Sequence, residues 1–280
     1  MQKGFKKILL FFLPFLLACG AKDNGAQLRL ESARKALAEQ DYVRAKQDID
    51  SLKILYPKSF AQIKASLSLL DTVRRAENNK IIADCDSLIS LHEPDLQKMK
   101  SMFTYQINKK YQDEGRYIPK EYYSGGLITN TTLQTGVKDD GTIYLESVFV
   151  GGKQKHNRIK VTAKDGLFVE SGVVTDDGLN YRSSSLEINF EIIHFSGASE
   201  NGVAKFIYAN KEKPLTITLQ GQQNNSYSLP QSAKSAISKS YQLSVMMLQL
   251  DSLKTAKEKA EFHIYYLDNK KEGEALTVVE

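Results

Sequence analysis

The chain has 280 residues, 38 Lys and Arg against 33 Asp and Glu, 41% hydrophobic residues, two cysteines and no tryptophan. This length and apolar fraction suit one large domain or two modest ones, and exclude a collagen, a disordered tail and a disulfide-stapled miniprotein. Setting aside Lys3, Lys6 and Lys7 of the N-terminal segment leaves 35 basic groups against 33 acidic, too even a balance to point to nucleic acid as a partner.

Met1–Lys7 is a short basic stretch, and Ile8–Leu17 is a ten-residue apolar run broken once by Pro14. A membrane-spanning helix needs roughly 20 apolar residues, so this run has the length and charge of a secretory signal instead. Leu16-Leu17-Ala18-Cys19 then resembles the lipobox of bacterial lipoproteins. The resemblance implies that residues 1–18 are removed, and that the Cys19 thiolate takes diacylglycerol in thioether linkage and becomes an acylated N-terminus. Residues 19–27 would form a tether. Gly20 follows the cysteine where an Asp would be a retention signal, which in Gram-negative families goes with transfer to the outer membrane. Lys22-Asp23 is only a fragment of the acidic tag of surface-displayed lipoproteins, so the face of the membrane stays open. Two or three acyl chains, at about 0.8 kcal/mol per buried CH₂, make a stable anchor. Cys85 would be the one cysteine left without lipid, which excludes an internal disulfide.

Residues 28–123 read as a helical module. Ala33, Leu37, Ala45, Ile49, Leu52 and Leu55 recur at three- and four-residue spacing. Asp41-Tyr42-Val43-Arg44-Ala45 followed by Ile49, Leu52 and Pro57 resembles the second half of a tetratricopeptide (TPR) repeat, with Ala45 at a close helix crossing and Pro57 as the stop. Thirty-six residues on, Ile49-Asp50-Ser51-Leu52 returns as Cys85-Asp86-Ser87-Leu88 and Pro57 has a near equivalent in Pro94, which predicts a second hairpin and a core-facing Cys85. A further helix is expected from Pro94 to Glu114, closing a small solenoid. Arg74, Arg75, Lys109 and Lys110, with Tyr105, Tyr111 and Tyr117, are the candidates for a partner-binding surface.

From residue 124 to 280 short β-branched runs alternate with turns. Lys138-Asp139-Asp140-Gly141, Lys164-Asp165-Gly166 and Asp176-Asp177-Gly178 are hairpin signals. Strands are expected at Thr142–Val150, Arg158–Thr162, Leu167–Val174, Ser185–Phe195, Val203–Ala209, Leu215–Leu219 and Glu261–Leu267, and a helix over about 231–259. The predicted class is therefore α+β: TPR-like α-helical hairpins, then an antiparallel β-rich domain, sandwich or partly open barrel, with one long helix.

Local signatures of catalysis are missing: no nucleophile elbow, no phosphate-binding glycine loop and no paired metal-binding histidines. His92, His156, His194 and His263 stand singly, and Asp139/Asp140 and Asp176/Asp177 are explained by turn geometry. Lys153, Lys155, His156, Arg158 and Lys160 cluster after Gly151-Gly152 and would suit anionic headgroups or an acidic glycan, or serve as a charged strand edge. Ser51, Thr72, Ser87 and Ser252 each sit in an Asp-[Ser/Thr]-hydrophobic triplet, which resembles the O-glycosylation acceptor of some Gram-negative exported proteins. The expected function is non-catalytic and needs no cofactor or metal: a lipoprotein anchored through Cys19 that binds an envelope protein partner. The alternative is a lipid, glycan or peptide held between the sheet and the 231–259 helix. A hydrolase with dispersed catalytic residues is a third class.

Overall fold

The computed structural model describes residues 21–110, 114–122, 130–152, 154–175, 180–185 and 188–277. Its elements are α1 (Ala21–Ala38), α2 (Tyr42–Leu55), α3 (Phe60–Lys100), β1 (Phe103–Gln106), β2 (Arg116–Pro119), β3 (Thr132–Lys138), β4 (Ile143–Gly151), β5 (His156–Ala163), β6 (Phe168–Glu170), β7 (Tyr181–Ser185), β8 (Ile188–Ser196), α4 (Val203–Ala209), β9 (Leu215–Gly221), β10 (Asn225–Ser228) and α5 (Gln231–Thr277). The class is α+β. Contacts divide the chain into two compact units, residues 1–83 with 258–280, and residues 84–257.

In the helical unit, α1 and α2 form an antiparallel hairpin. Gln40 turns the chain at a φ of 59°, and the Asp41 carboxylate accepts from the Arg44 N–H at 3.0 Å to cap α2. Ala33, Ala36 and Ala45 make the seam, so the backbones approach closely, and Ile49, Leu70 and Val73 complete the core. The buried Asp48 carboxylate is satisfied by Arg29 at 2.8 Å and Ser32 at 2.7 Å. The chain turns at Pro57, as its missing N–H requires, and α3 begins at Phe60.

The second copy of the repeat does not make its own hairpin. Its counterpart of the Glu39–Asp41 turn is Arg75-Ala76-Glu77, which has neither a left-handed residue nor a capping side chain, so α3 continues through it. Pro94 also lies inside α3, with its ring exposed to solvent. Cys85 is buried, as its register implied, but Leu88 and Leu91 are exposed. The helix expected over Pro94–Glu114 ends at Lys100, and β1 follows, paired with β2.

The β-rich unit holds two antiparallel sheets, one ordered β1-β2-β3-β4-β8-β7 and the other β10-β9-β5-β6. Both contribute to one core: Leu133, Leu145, Ile193 and Phe195 from the first, Ile159, Val161, Ile217 and Leu219 from the second. Val203 and Ile207 of α4 and Ala233 and Ile237 of α5 fill it further. A second cluster joins Leu96 of α3, Phe103, Val137 and Leu243, Met247 and Leu250 of α5. The hairpin turns at Gly141 and Gly166 adopt φ of 83° and 88°, while the Asp176–Gly178 turn lies outside the described residues.

Two expected strands are helical. Val203–Ala209 becomes α4 because the Glu200 carboxylate accepts from the N–H groups of Gly202 and Ala204 at 3.0 and 2.6 Å. Glu261–Leu267 continues α5, since the inward set is Ala260, Ile264 and Leu267 at helical spacing. Strands β1, β2, β3, β7 and β10 were not among those expected.

Candidate functional site

The helical unit carries a cleft of about 570 Å³, lined by Lys46 of α2, Arg74, Glu77, Asn78 and Ile81 of α3, and His263, Tyr266 and Leu267 of α5. Residues 74, 77, 78 and 81 recur at three- and four-residue spacing, so one face of α3 presents all four. Most of the charge is already matched. Lys46 Nζ lies 2.7 and 2.9 Å from the two Glu77 oxygens, and Asn78 Oδ1 faces His263 Nδ1 at 3.3 Å. Arg74 is exposed and has no carboxylate partner among the described residues, whereas its neighbour Arg75 is held by Asp268 at 2.7 Å. The cleft thus combines one uncompensated guanidinium with an apolar lining of Ile81, Leu267 and the exposed ring of Tyr266. Its volume lies within the range of ligand pockets, roughly 300–1,000 Å³.

A second arrangement lies in the β-rich unit, where sequence reasoning had only a lone histidine. His156 Nδ1 is 2.9 Å from Glu191 Oε2, and its Nε2 faces Ser147 Oγ at 3.0 Å. The same carboxylate accepts from the backbone N–H groups of Lys155 and His156 at 2.6 and 3.2 Å. Burial pushes the Glu191 carboxyl up. The His156 ring and these two N–H donors outweigh it and hold the group below the usual glutamate value. Hydroxyl, imidazole and carboxylate are in the order that serine hydrolases use, yet all three are buried, and a hydroxyl without exposed surface offers a substrate no approach. Ser147 and Glu191 belong to one sheet and His156 to the other, so the chain of bonds ties the sheets together. No local signal foretold it, because the partners lie on three strands.

The other expected surface residues are dispersed. Tyr105 donates to Asp139 Oδ2 at 2.7 Å, which lifts its phenol to about 12, and its ring packs against Tyr117 with centroids 5.0 Å apart. Lys109 and Lys110 are exposed in the segment after β1. Lys155 donates its backbone N–H to Glu191, and Arg158 and Lys160 share Glu170 at 3.7 and 3.8 Å. Strand β5 lies between β9 and β6, so this basic stretch occupies an inner strand and not an edge. Cys19, Tyr111, Lys153 and Asp176/Asp177 lie outside the described residues. Ser51 on α2 is half-buried; Thr72 and Ser87 on α3 and Ser252 on α5 are exposed. His194 pairs with Glu146 at 3.6 Å in the β-rich unit, while His263 belongs to the helical one.

Among the described residues no cluster of three or more His, Cys, Asp or Glu is placed to hold a metal ion, and no helix is long and apolar enough to cross a membrane. No family model, curated protein or solved structure matches this chain.

Proposed function

We propose that the protein is a Gram-negative envelope lipoprotein, anchored to the outer membrane through acylated Cys19, whose helical unit binds a protein partner. The cleft of α2, α3 and α5 carries this reading: a concave surface with one unmatched guanidinium, Arg74, beside Tyr266, Ile81 and Leu267. Such a surface suits a peptide segment that brings a carboxylate next to an apolar side chain. The alanine seam and Pro57 stop of α1–α2 support a TPR-like hairpin beside it. The fall-back reading, a ligand between sheet and α5, gains no such support, because Ala233 and Ile237 fill that part of the core.

The test places a photo-crosslinking residue at Tyr266 in cells and separates the adducts from the envelope fraction. A discrete protein adduct is expected at Tyr266, and Arg74→Glu should abolish it. An adduct pattern that Arg74→Glu and Ile81→Asp both leave unchanged refutes the cleft as the binding surface. Glycosylation of the exposed Thr72, Ser87 or Ser252 is read in the same preparation from the intact mass.

A further inference from the structure

We infer that the turn between α2 and α3 is a second membrane contact: its apolar tip enters the headgroup layer of the anionic membrane in which Cys19 is anchored. This inference rests on the lipoprotein reading above. Ile54, Phe60 and Leu55 are 77, 76 and 57% exposed and crowd into seven residues of chain, against the ordinary tendency of large apolar side chains to leave water. Their place in the hairpin suggests what covers them. Because α1 and α2 are antiparallel and joined by a short turn, the end of α2 lies beside the start of α1. The ring of Tyr56, which caps α2, covers Gly25 so closely that a Cβ there would fall 2.7 Å from its Cζ.

Only Gly20 separates Cys19 from Ala21, the first residue of α1. At about 3.3–3.6 Å per residue, the acylated cysteine lies within roughly 7 Å of the helix start. The tip and the anchor are therefore at the same end of the hairpin. Charge agrees with this placement. Residues 51–70 include Lys53, Lys58 and Lys64 and no Asp or Glu, with Lys53 paired to Asp50 at 3.2 Å. Lys58 and Lys64 are exposed, with no carboxylate partner among the described residues. Lysines flanking apolar side chains suit phosphate headgroups above an acyl layer. The opposite end of the hairpin, Glu39-Gln40-Asp41, is acidic and polar.

The full-length lipidated protein, purified from cells and reconstituted into vesicles of phosphatidylethanolamine and phosphatidylglycerol, tests this. A thiol-reactive, environment-sensitive fluorophore is placed on Phe60→Cys or on Glu39→Cys, with the unsubstituted protein as background, since Cys85 is buried. Mass spectrometry of the N-terminal peptide reads lipidation in the same samples. The expected result is a diacylglycerol-bearing Cys19, a blue-shifted label at position 60 that nitroxide-labelled lipids quench, and an unquenched label in water at position 39. A lipidated protein whose label at 60 is as wet as that at 39 overturns this inference and leaves the anchor standing. Absence of lipid on Cys19 overturns both.

Discussion

Glu191 shows how one buried carboxylate can hold two sheets. Its oxygens accept from the His156 ring and from two backbone N–H groups at the start of β5, with the Arg182 guanidinium 3.9 Å away. The folded-state value lies below the ordinary 4.5, so its contribution to stability is present above that pH and is lost as the pH falls through the folded value. Glu191→Gln should cost about 1–3 kcal/mol at neutral pH, as leaving buried N–H donors without their acceptor does. It should also lose part of the acid-induced destabilisation of the wild type. Urea unfolding at pH 7 and at pH 4 checks both, and equal losses at the two pH values would show that the carboxylate charge is not what the latch uses.

Among the strands, Gly136 of β3 and Tyr144 of β4 stand opposite each other, and the buried Tyr144 ring lies over the glycine. A Cβ at Gly136 would fall 2.8 Å from the ring's Cε1, so the aromatic ring covers the backbone that the glycine leaves bare. The same ring is pressed against His194 of β8, with centroids 5.0 Å apart, which leaves it little room to retreat. Burial pushes its phenol up to about 12. Gly136→Ala should therefore destabilise the β-rich unit by about 1–3 kcal/mol, the range for overpacking. Thermal melts of wild type and variant, followed by near-ultraviolet tyrosine signals, measure it; an unchanged melting temperature would mean that the strand pair gives way without cost.

Across the whole molecule, α3 and α5 each supply both units. In α3, Leu70 and Val73 enter the helical core and Leu96 enters the cluster of the β-rich unit. In α5, Ile237 and Leu250 serve the β-rich unit, and Leu267 lines the cleft of the helical one. The anchoring reading has its own consequence at this scale. Cys19→Ala should move the protein from the membrane pellet to the soluble fraction after cell breakage, or leave it unprocessed with residues 1–18 attached. A processed variant that still sediments with membranes would mean that something other than the lipid holds it there.

Features set by covalent chemistry could be read from the sequence. Pro57 ends α2 because it has no N–H, and Gly141 and Gly166 turn the hairpins because they reach positive φ without a steric penalty. Cys85 is buried at the position its repeat register implied, and the division into helix-rich and strand-rich stretches follows from periodicity. Where two local signals compete, contacts made in the fold decide, a side-chain cap in one case and tertiary packing in the others. Pro94 does not stop α3, whose far end is held by the packing of Leu96, and Val203–Ala209 is helical because Glu200 caps it. Glu261–Leu267 alternates like a strand, yet burial of Ala260 and Leu267 selects the helix. The cleft around Arg74 and the Ser147–His156–Glu191 chain each draw on three separate elements. Glu191 is 35 residues from His156, and His263 is 185 residues from Asn78, so only the folded backbone brings these elements within hydrogen-bonding or van der Waals reach.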